Sequence, residues 1–287
     1  MIYFKMTATL AGLILLISCS GHQKTLKIKG SDTEVNLVVE LAEYFHRVNP
    51  EFYVSISGGG SGLGIAALIN GQTDIANSSR LINEEEIRLI TQRGIVIDTF
   101  VFAEDAIAFV VAADLPIDSL CNEDLARILN GTYMSWSSLQ AGNKKINIYG
   151  RQSNSGTHDF VRKKLGIEFS PKAREMNGNA QIIEAIKADR SGIGYVGAGY
   201  VLEIQQMNNA AFKVLRISPE RGKKAFSPLD STAVYDHNYI FRRHLYQYIL
   251  SSSAAVANEF LQFEKSWEGA SIIRNAGYYP VTTHSKP

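Results

Sequence analysis

Four times along this chain a short strand-like run ends in a Ser/Thr/Gly-rich turn that leads into a helix-like run. The turns are Gly30-Ser31-Asp32-Thr33, Gly58-Gly59-Gly60-Ser61-Gly62, Asn77-Ser78-Ser79-Arg80 and Arg151-Gln152-Ser153-Asn154-Ser155-Gly156-Thr157. Repeated strand–turn–helix order is the signature of a layered α/β fold. It also bears on function. A helix N-terminus presents unpaired N–H groups and the positive end of the helix dipole, and glycines and small hydroxyl residues let an anion approach them closely. Helix capping, at ~1 kcal/mol per cap, accounts for any one such turn. Arg80 and Arg151 lie inside two of the turns, where a guanidinium beside hydroxyls and N–H groups suits bidentate recognition of a tetrahedral oxyanion. Four such turns suggest several helix ends converging on one small anion.

Hydrophobic spacing extends this reading. Leu26–Lys29 and Tyr53–Ser57 alternate as strands do, and Leu37, Leu41, Tyr44, Phe45 and Val48 share one face of a helix ending at Asn49-Pro50. Asn83 is expected to cap a helix that begins Glu84-Glu85-Glu86, a run read as a solvated first turn. Asp98–Phe102 and Ala106–Val111 read as two strands. Beyond Asp114-Leu115-Pro116 a second α/β unit follows: a strand at Ile146–Gly150, helices at Gly156–Leu165 and Ala180–Ala188, and strands at Gly192–Gly197 and Phe212–Ile217. Residues 218–230 read as loop, Tyr239–Ile249 as an aromatic strand, and Ala254–Phe263 and Ser266–Asn275 as helices.

The chain has 287 residues, 45% of them hydrophobic, enough for one large or two small domains. With 29 Lys and Arg against 28 Asp and Glu there is no basic excess, so no nucleic-acid partner is expected and an anion site must be a local device. Lys5 followed by the apolar run Ala8–Ile17 reads as a targeting segment, too short to span a bilayer comfortably. Leu16-Ile17-Ser18-Cys19 resembles a bacterial lipobox, which implies cleavage of a signal peptide 1–18, lipidation of Cys19 and a tether over 19–25; an ordinary cleaved signal peptide is the alternative. Cys121 then has no partner and reads as a small core residue.

The catalytic motifs fail. GxxxxGK[ST] is absent. Gly62-Leu63-Gly64-Ile65-Ala66-Ala67 is a weak match to a dinucleotide fingerprint, without its expected setting. GxSxG fails at both Ser61 and Ser155. The six histidines lack metal-ligand spacing, so no metal and no cofactor is expected, and His158 reads as an exposed histidine one turn into a helix.

The four turns, taken in order with Arg151-x-x-x-Ser155-Gly156-Thr157-His158-Asp159-Phe160 and the terminal Gly277-Tyr278-Tyr279-Pro280, resemble the phosphate-binding proteins of bacterial phosphate ABC transporters. The resemblance spans essentially the whole chain after residue 19 and implies a type II periplasmic binding protein: two mixed-sheet α/β lobes with the ligand cleft between them. It places lobe 1 at 25–110 and 230–287, lobe 2 at 112–218, and hinge crossings near 110–113 and 217–229. Thr33, Ser61 and Ser79 would bind from the first lobe, with Ser31, Asp32, Gly60 and Arg80 in the same turns, and Arg151, Ser155, Gly156 and Thr157 from the second. Some members follow the third-turn serine with an aspartate that accepts the proton of hydrogen phosphate. Here Arg80 stands there, and Asp32 is the available substitute. Arg80 could equally be a surface residue at a helix start. The implied protein is a monomeric, lipid-anchored receptor on the periplasmic or extracellular face of a bacterial membrane. It would do no chemistry and would hand inorganic phosphate to an ABC permease. Sulfate or molybdate binding, and a secreted phosphatase-like enzyme, are the alternatives.

Overall fold

The computed structural model describes residues 24–206 and 211–281. The expected signal peptide 1–18, Cys19 and the tether up to 23 lie outside the described residues. Lys24 and Thr25 already belong to the first strand.

In chain order the first elements are β1 (Lys24–Gly30), α1 (Val35–Val48), β2 (Phe52–Ser57), α2 (Ser61–Ile69), β3 (Ile75–Ser78), α3 (Glu84–Gln92) and β4 (Ile97–Ala112). Then come β5 (Ser119–Cys121), α4 (Asn122–Leu129), β6 (Asn147–Arg151), α5 (Gly156–Leu165), β7 (Arg174–Met176), α6 (Asn179–Ala188), β8 (Gly192–Gly197) and α7 (Ala198–Gln206). The last are β9 (Phe212–Val214), β10 (Arg216–Ser218), α8 (Ser231–Tyr235), β11 (Arg242–Leu250), α9 (Ala254–Lys265), α10 (Trp267–Asn275) and β12 (Tyr279–Pro280).

One curled sheet runs β2-β1-β3-β11-β4-β8-β6-β7. Strands β2, β1 and β3 are parallel, as are β8, β6 and β7, while β11, β4 and β8 pair antiparallel. The two strands expected at Asp98–Phe102 and Ala106–Val111 are a single strand of 16 residues, β4. Its first part pairs with β11 and β12, and its last part with β8 and β9. Continuous pairing partners carry it through Ala103–Asp105, where the local pattern predicts a break.

Each part of the sheet has its own core. Alternation along the strands sends Ile75 and Ile249 to one face with Leu37, Leu41, Phe45, Phe260 and Ile273 from α1, α9 and α10. It sends Ala76 and Tyr248 to the other face with Ile65, Leu68 and Ile90 from α2 and α3. The second core gathers Phe109, Trp136, Ile182, Ile193 and Tyr195 around the last part of β4. Val234, Tyr239 and Phe241, from the segment expected in the first lobe, pack in this second core, and the Tyr239 hydroxyl donates to Ile107 O at 2.5 Å.

Several local expectations have visible causes. Asn83 Oδ1 accepts Glu86 N–H at 2.9 Å and Glu86 Oε2 accepts Asn83 N–H at 2.9 Å, closing a capping box at the start of α3. Helix α5 starts at Gly156 because Ser155 caps it, its hydroxyl accepting Thr157 N–H at 3.2 Å. Asn122 is the first residue of α4, with Cys121 in the cap position.

Candidate functional site

The turns that interrupt the sequence meet in space. Thr33 follows β1, Ser79 follows β3, Ser61 opens α2, and Ser155 and Gly156 open α5 after Arg151 closes β6. All lie at the carboxyl ends of parallel strands, where open α/β sheets place ligands. The four turns do not all open helices directly: α1 begins only at Val35, and α3 only at Glu84, beyond Ser79 and Arg80.

Ser31, Thr33, Ser61, Ser79, Ser155 and Thr157 are all buried. The Ser31 hydroxyl donates to Ser79 Oγ at 3.2 Å, Ser61 Oγ accepts Ser79 N–H at 3.1 Å, and Thr33 Oγ1 lies 3.1 Å from Thr157 Oγ1. The last contact joins the first part of the sheet to α5. A side chain on Gly156 would put its Cβ 2.4 Å from Ser61 Oγ and 2.5 Å from Ser79 Oγ, so only glycine lets the α5 N-terminus meet these hydroxyls. Asn154 makes a second cross-link, its carbonyl accepting Gly62 N–H at 3.0 Å and its side-chain amide donating to Gly59 O at 3.3 Å. Gly60, at φ 95°, stands beside this loop, and a Cβ there would lie 3.3 Å from Asn154 O. The glycines read from sequence as room for an anion therefore also make room for the opposing loop.

Two guanidiniums are buried at this focus. Arg151, 2% exposed, donates through Nη2 to the Asp32 carboxylate and to Asn177 O at 3.3 Å, and through Nη1 to Asn179 Oδ1 at 3.4 Å; its Nε has no partner. Burial lowers its pKa, Asp32 opposes the shift, and the charge of Arg243 adds to it. Arg243, 6% exposed, donates through Nη2 to Thr33 Oγ1 at 3.0 Å, to Thr157 Oγ1 at 3.1 Å and to Asp105 Oδ2 at 3.0 Å, and through Nη1 to Ser79 O at 3.4 Å. Asp105 is fully buried, and burial holds its carboxyl above the usual range against the pull of Arg243.

Arg243 is absent from the sequence reading, where its segment is an aromatic strand. Its sequence carries no local signal, because Arg242 and His244 flank it with polar side chains, and only in the folded strand do Arg243, Leu245 and Gln247 turn inward.

Arg80 is paired within its own turn and the helix that follows. Its guanidinium makes a bidentate pair with Glu86, at 2.8 and 2.7 Å, and donates to Leu81 O at 2.9 Å. Glu86 faces back toward the turn and holds it at the α3 capping box, beside the start of α2, where a Cβ on Gly62 would lie 3.4 Å from Arg80 Nη2. Glu86 is correspondingly not a freely solvated first-turn acid. Asp32 is engaged on both oxygens: one accepts Gly59 N–H at 2.7 Å and the other receives Arg151. His158 is half-buried with its ring 4.6 Å from that of Phe169, not exposed as expected, and burial lowers its pKa. Ser155 Oγ accepts Thr157 N–H at the start of α5. Cys121 is buried and donates to Asp124 Oδ2 at 3.1 Å, and burial raises its pKa.

A groove of about 500 Å³ runs beside the cluster, between α1 and α7. Its wall carries Asp32, Glu40, Glu43 and Glu203, so it repels anions. The buried cluster, rich in donors and holding two guanidiniums, is the place in this region suited to one. Among the described residues no group of three or more His, Cys, Asp or Glu is placed to hold a metal ion. No helix among them is long and apolar enough to cross a membrane.

The family model described as PBP superfamily domain matches residues 20–266. The chain belongs to the PBP superfamily. It is similar to the phosphate-binding protein PstS of Staphylococcus haemolyticus, 28% identical over 291 aligned positions that cover 95% of this chain and 90% of that protein. It is also similar to PstS of Pseudomonas aeruginosa, 26% identical over 281 positions covering 91% and 84%. Among solved structures it superposes on an ABC-type phosphate transport receptor from Vibrio cholerae with a TM-score of 0.69, at 26% identity, covering 90% of this chain and 100% of that one. It shares its fold with a phosphate-bound substrate-binding protein from Clostridium perfringens, at a TM-score of 0.79 and 20% identity, covering 90% and 100%. The two-lobed α/β architecture expected from the sequence is the fold of these PBP superfamily members.

Proposed function

We propose that this PBP superfamily chain is a receptor that captures inorganic phosphate between its lobes and delivers it to the permease of an ABC transporter. The observation that carries the reading is the buried meeting of Arg151 and Arg243 with hydroxyls and a helix N-terminus contributed by both parts of the sheet. Two guanidiniums with unfavourable mutual charge, one with a free Nε, form a donor-rich site that an anion completes. The names of the PstS relatives supply the choice of phosphate among oxyanions. In this reading Thr33, Ser61, Ser79, Arg151, Ser155, Gly156, Thr157 and Arg243 hold the anion. Ser31 supports Ser79, Asp32 orients Arg151, and Gly60 admits the Asn154 loop. The chain does no chemistry.

The lobes move as rigid bodies about two crossings, as hinged binding proteins do. We place the first where β4 changes partners, at Ala106/Ile107, and the return at Phe241/Arg242. The packing of Phe241 against Phe109 and of Tyr239 against Phe241 supports this placement over crossings at 110–113 and 217–229. A lipid on Cys19 would hold the monomeric receptor at the periplasmic or extracellular face of a bacterial membrane. A Cys19→Ala chain is then expected in the soluble fraction, where the parent chain is expected with membranes.

The binding claim is tested at Gly156. The Gly156→Ala protein is expected to bind phosphate about tenfold or more weakly, a loss of at least ~1.4 kcal/mol, in calorimetric titration. The added methyl prevents α5 from reaching Ser61 and Ser79 while leaving every donor in place. Parent-like affinity in that variant would remove the α5 N-terminus from the site.

A further inference from the structure

The charge balance of the site reaches past the residues that line it. Glu34 follows Thr33 directly, at the N-cap of α1, and is completely buried. Neither carboxylate oxygen meets a donor in hydrogen-bonding geometry, because the neighbouring Ser31 hydroxyl donates to Ser79. The groups facing it are Arg243 from β11, Asp105 from β4, Glu264 from α9 and the phenol of Tyr278 before β12. Tyr278 donates to Thr33 O at 2.6 Å.

A carboxylate removed from water is costly, which favours the neutral acid and leaves the ionised form to be held by its neighbours. Burial accordingly raises the Glu34 pKa well above the usual carboxylate range; the adjacent Ser31 hydroxyl and Arg243 pull it down, and Asp105 and Glu264 push it up. Glu264 is itself buried and pushed up to about 8. Of the facing charges, Arg243 alone favours ionised Glu34, and Arg243 is also the guanidinium that reaches Thr33 and Thr157 at the anion site. An anion held there offsets that charge and adds its own repulsion.

We propose that Glu34 takes up a proton from solvent when an anion occupies the site, so that binding is proton-linked through Arg243. The proposal rests on the receptor reading above. The complex holds more protons than the free protein, so affinity falls as pH rises through the range where Glu34 of the free protein ionises. This makes Glu34 a positioning residue for charge, and the proton of the ligand is not involved.

The test is calorimetric titration of phosphate into the anion-stripped protein, from mildly acid to mildly alkaline pH, in paired buffers of different ionisation enthalpy. The parent and Glu34→Gln, a neutral isostere of the protonated side chain, are compared. The parent is expected to take up more protons per phosphate than the variant, and its affinity to fall more steeply with pH, the two proteins binding alike at the acid end. Equal proton uptake and equal slopes overturn the proposal while leaving phosphate binding intact. No phosphate heat from the parent at any pH overturns the receptor reading and this proposal with it. If Glu34→Gln does not fold, infrared difference spectra of the parent on adding phosphate replace it. A gain in protonated-carboxyl absorption is expected, and its absence overturns the proposal.

Discussion

The Arg243→Met protein is expected to lose measurable phosphate binding and to be less stable by about 3–5 kcal/mol, the usual consequence of removing one partner of a buried ion pair. Arg243 and Asp105 are both buried, their side chains 3% and 0% exposed, so solvent cannot replace the lost guanidinium. Thr33 and Thr157 lose their shared donor in the same step. The stability loss has a sign in pH. Burial already raises the Asp105 pKa above its unfolded value, and without Arg243 it rises further. The variant's stability therefore falls as pH rises from the unfolded carboxylate range through the folded pKa, and the deficit shrinks toward acid pH. Adding Asp105→Asn separates the two roles. The double variant should recover most of the stability, read by denaturant unfolding, and none of the binding, read by calorimetry. Recovery of phosphate binding would mean that Arg243 only neutralises Asp105.

The second large effect is at Arg151. Arg151→Ala is expected to weaken phosphate binding by about 2–5 kcal/mol, the range for stripping one member from a buried, hydrogen-bonded charge pair. The side chain has two functions in this account. Its buried Nε has no partner and is free to donate to an anion, and its Nη2 reaches the Asp32 carboxylate. Arg151→Lys keeps a charge but loses the planar fork, so it should recover only part of the affinity. Asp32→Asn tests the cross-lobe function alone. It should weaken binding less than Arg151→Ala and favour the open form in small-angle scattering without phosphate. Near-parent affinity in Arg151→Ala would remove the residue from the site.

What could be read from the sequence follows the range of the interactions involved. Helix α5 and the Asn83–Glu86 capping box are set by neighbours within a few residues, and the hydroxyl turns after β1, β2, β3 and β6 carry local signatures of glycine and serine. Their convergence follows from strand order, since all four stand at carboxyl ends of parallel strands. Arg243 was not legible because its inward orientation is set by pairing β11 between β3 and β4, more than a hundred residues away in sequence. The partner of Arg80 is local instead: Glu86, six residues on, is near enough to take the guanidinium. The unity of β4 and the placement of Tyr239 and Phe241 likewise depend on long-range pairing that periodicity does not encode. Glu34 reads as an ordinary polar residue at a helix start, and only its complete burial distinguishes it.

The most direct test of the central claim is calorimetric titration of the anion-stripped protein with phosphate and, separately, with sulfate. The account predicts saturable binding of one phosphate per chain, lost in Arg243→Met. Absence of phosphate binding, or binding that survives that substitution unchanged, would contradict it.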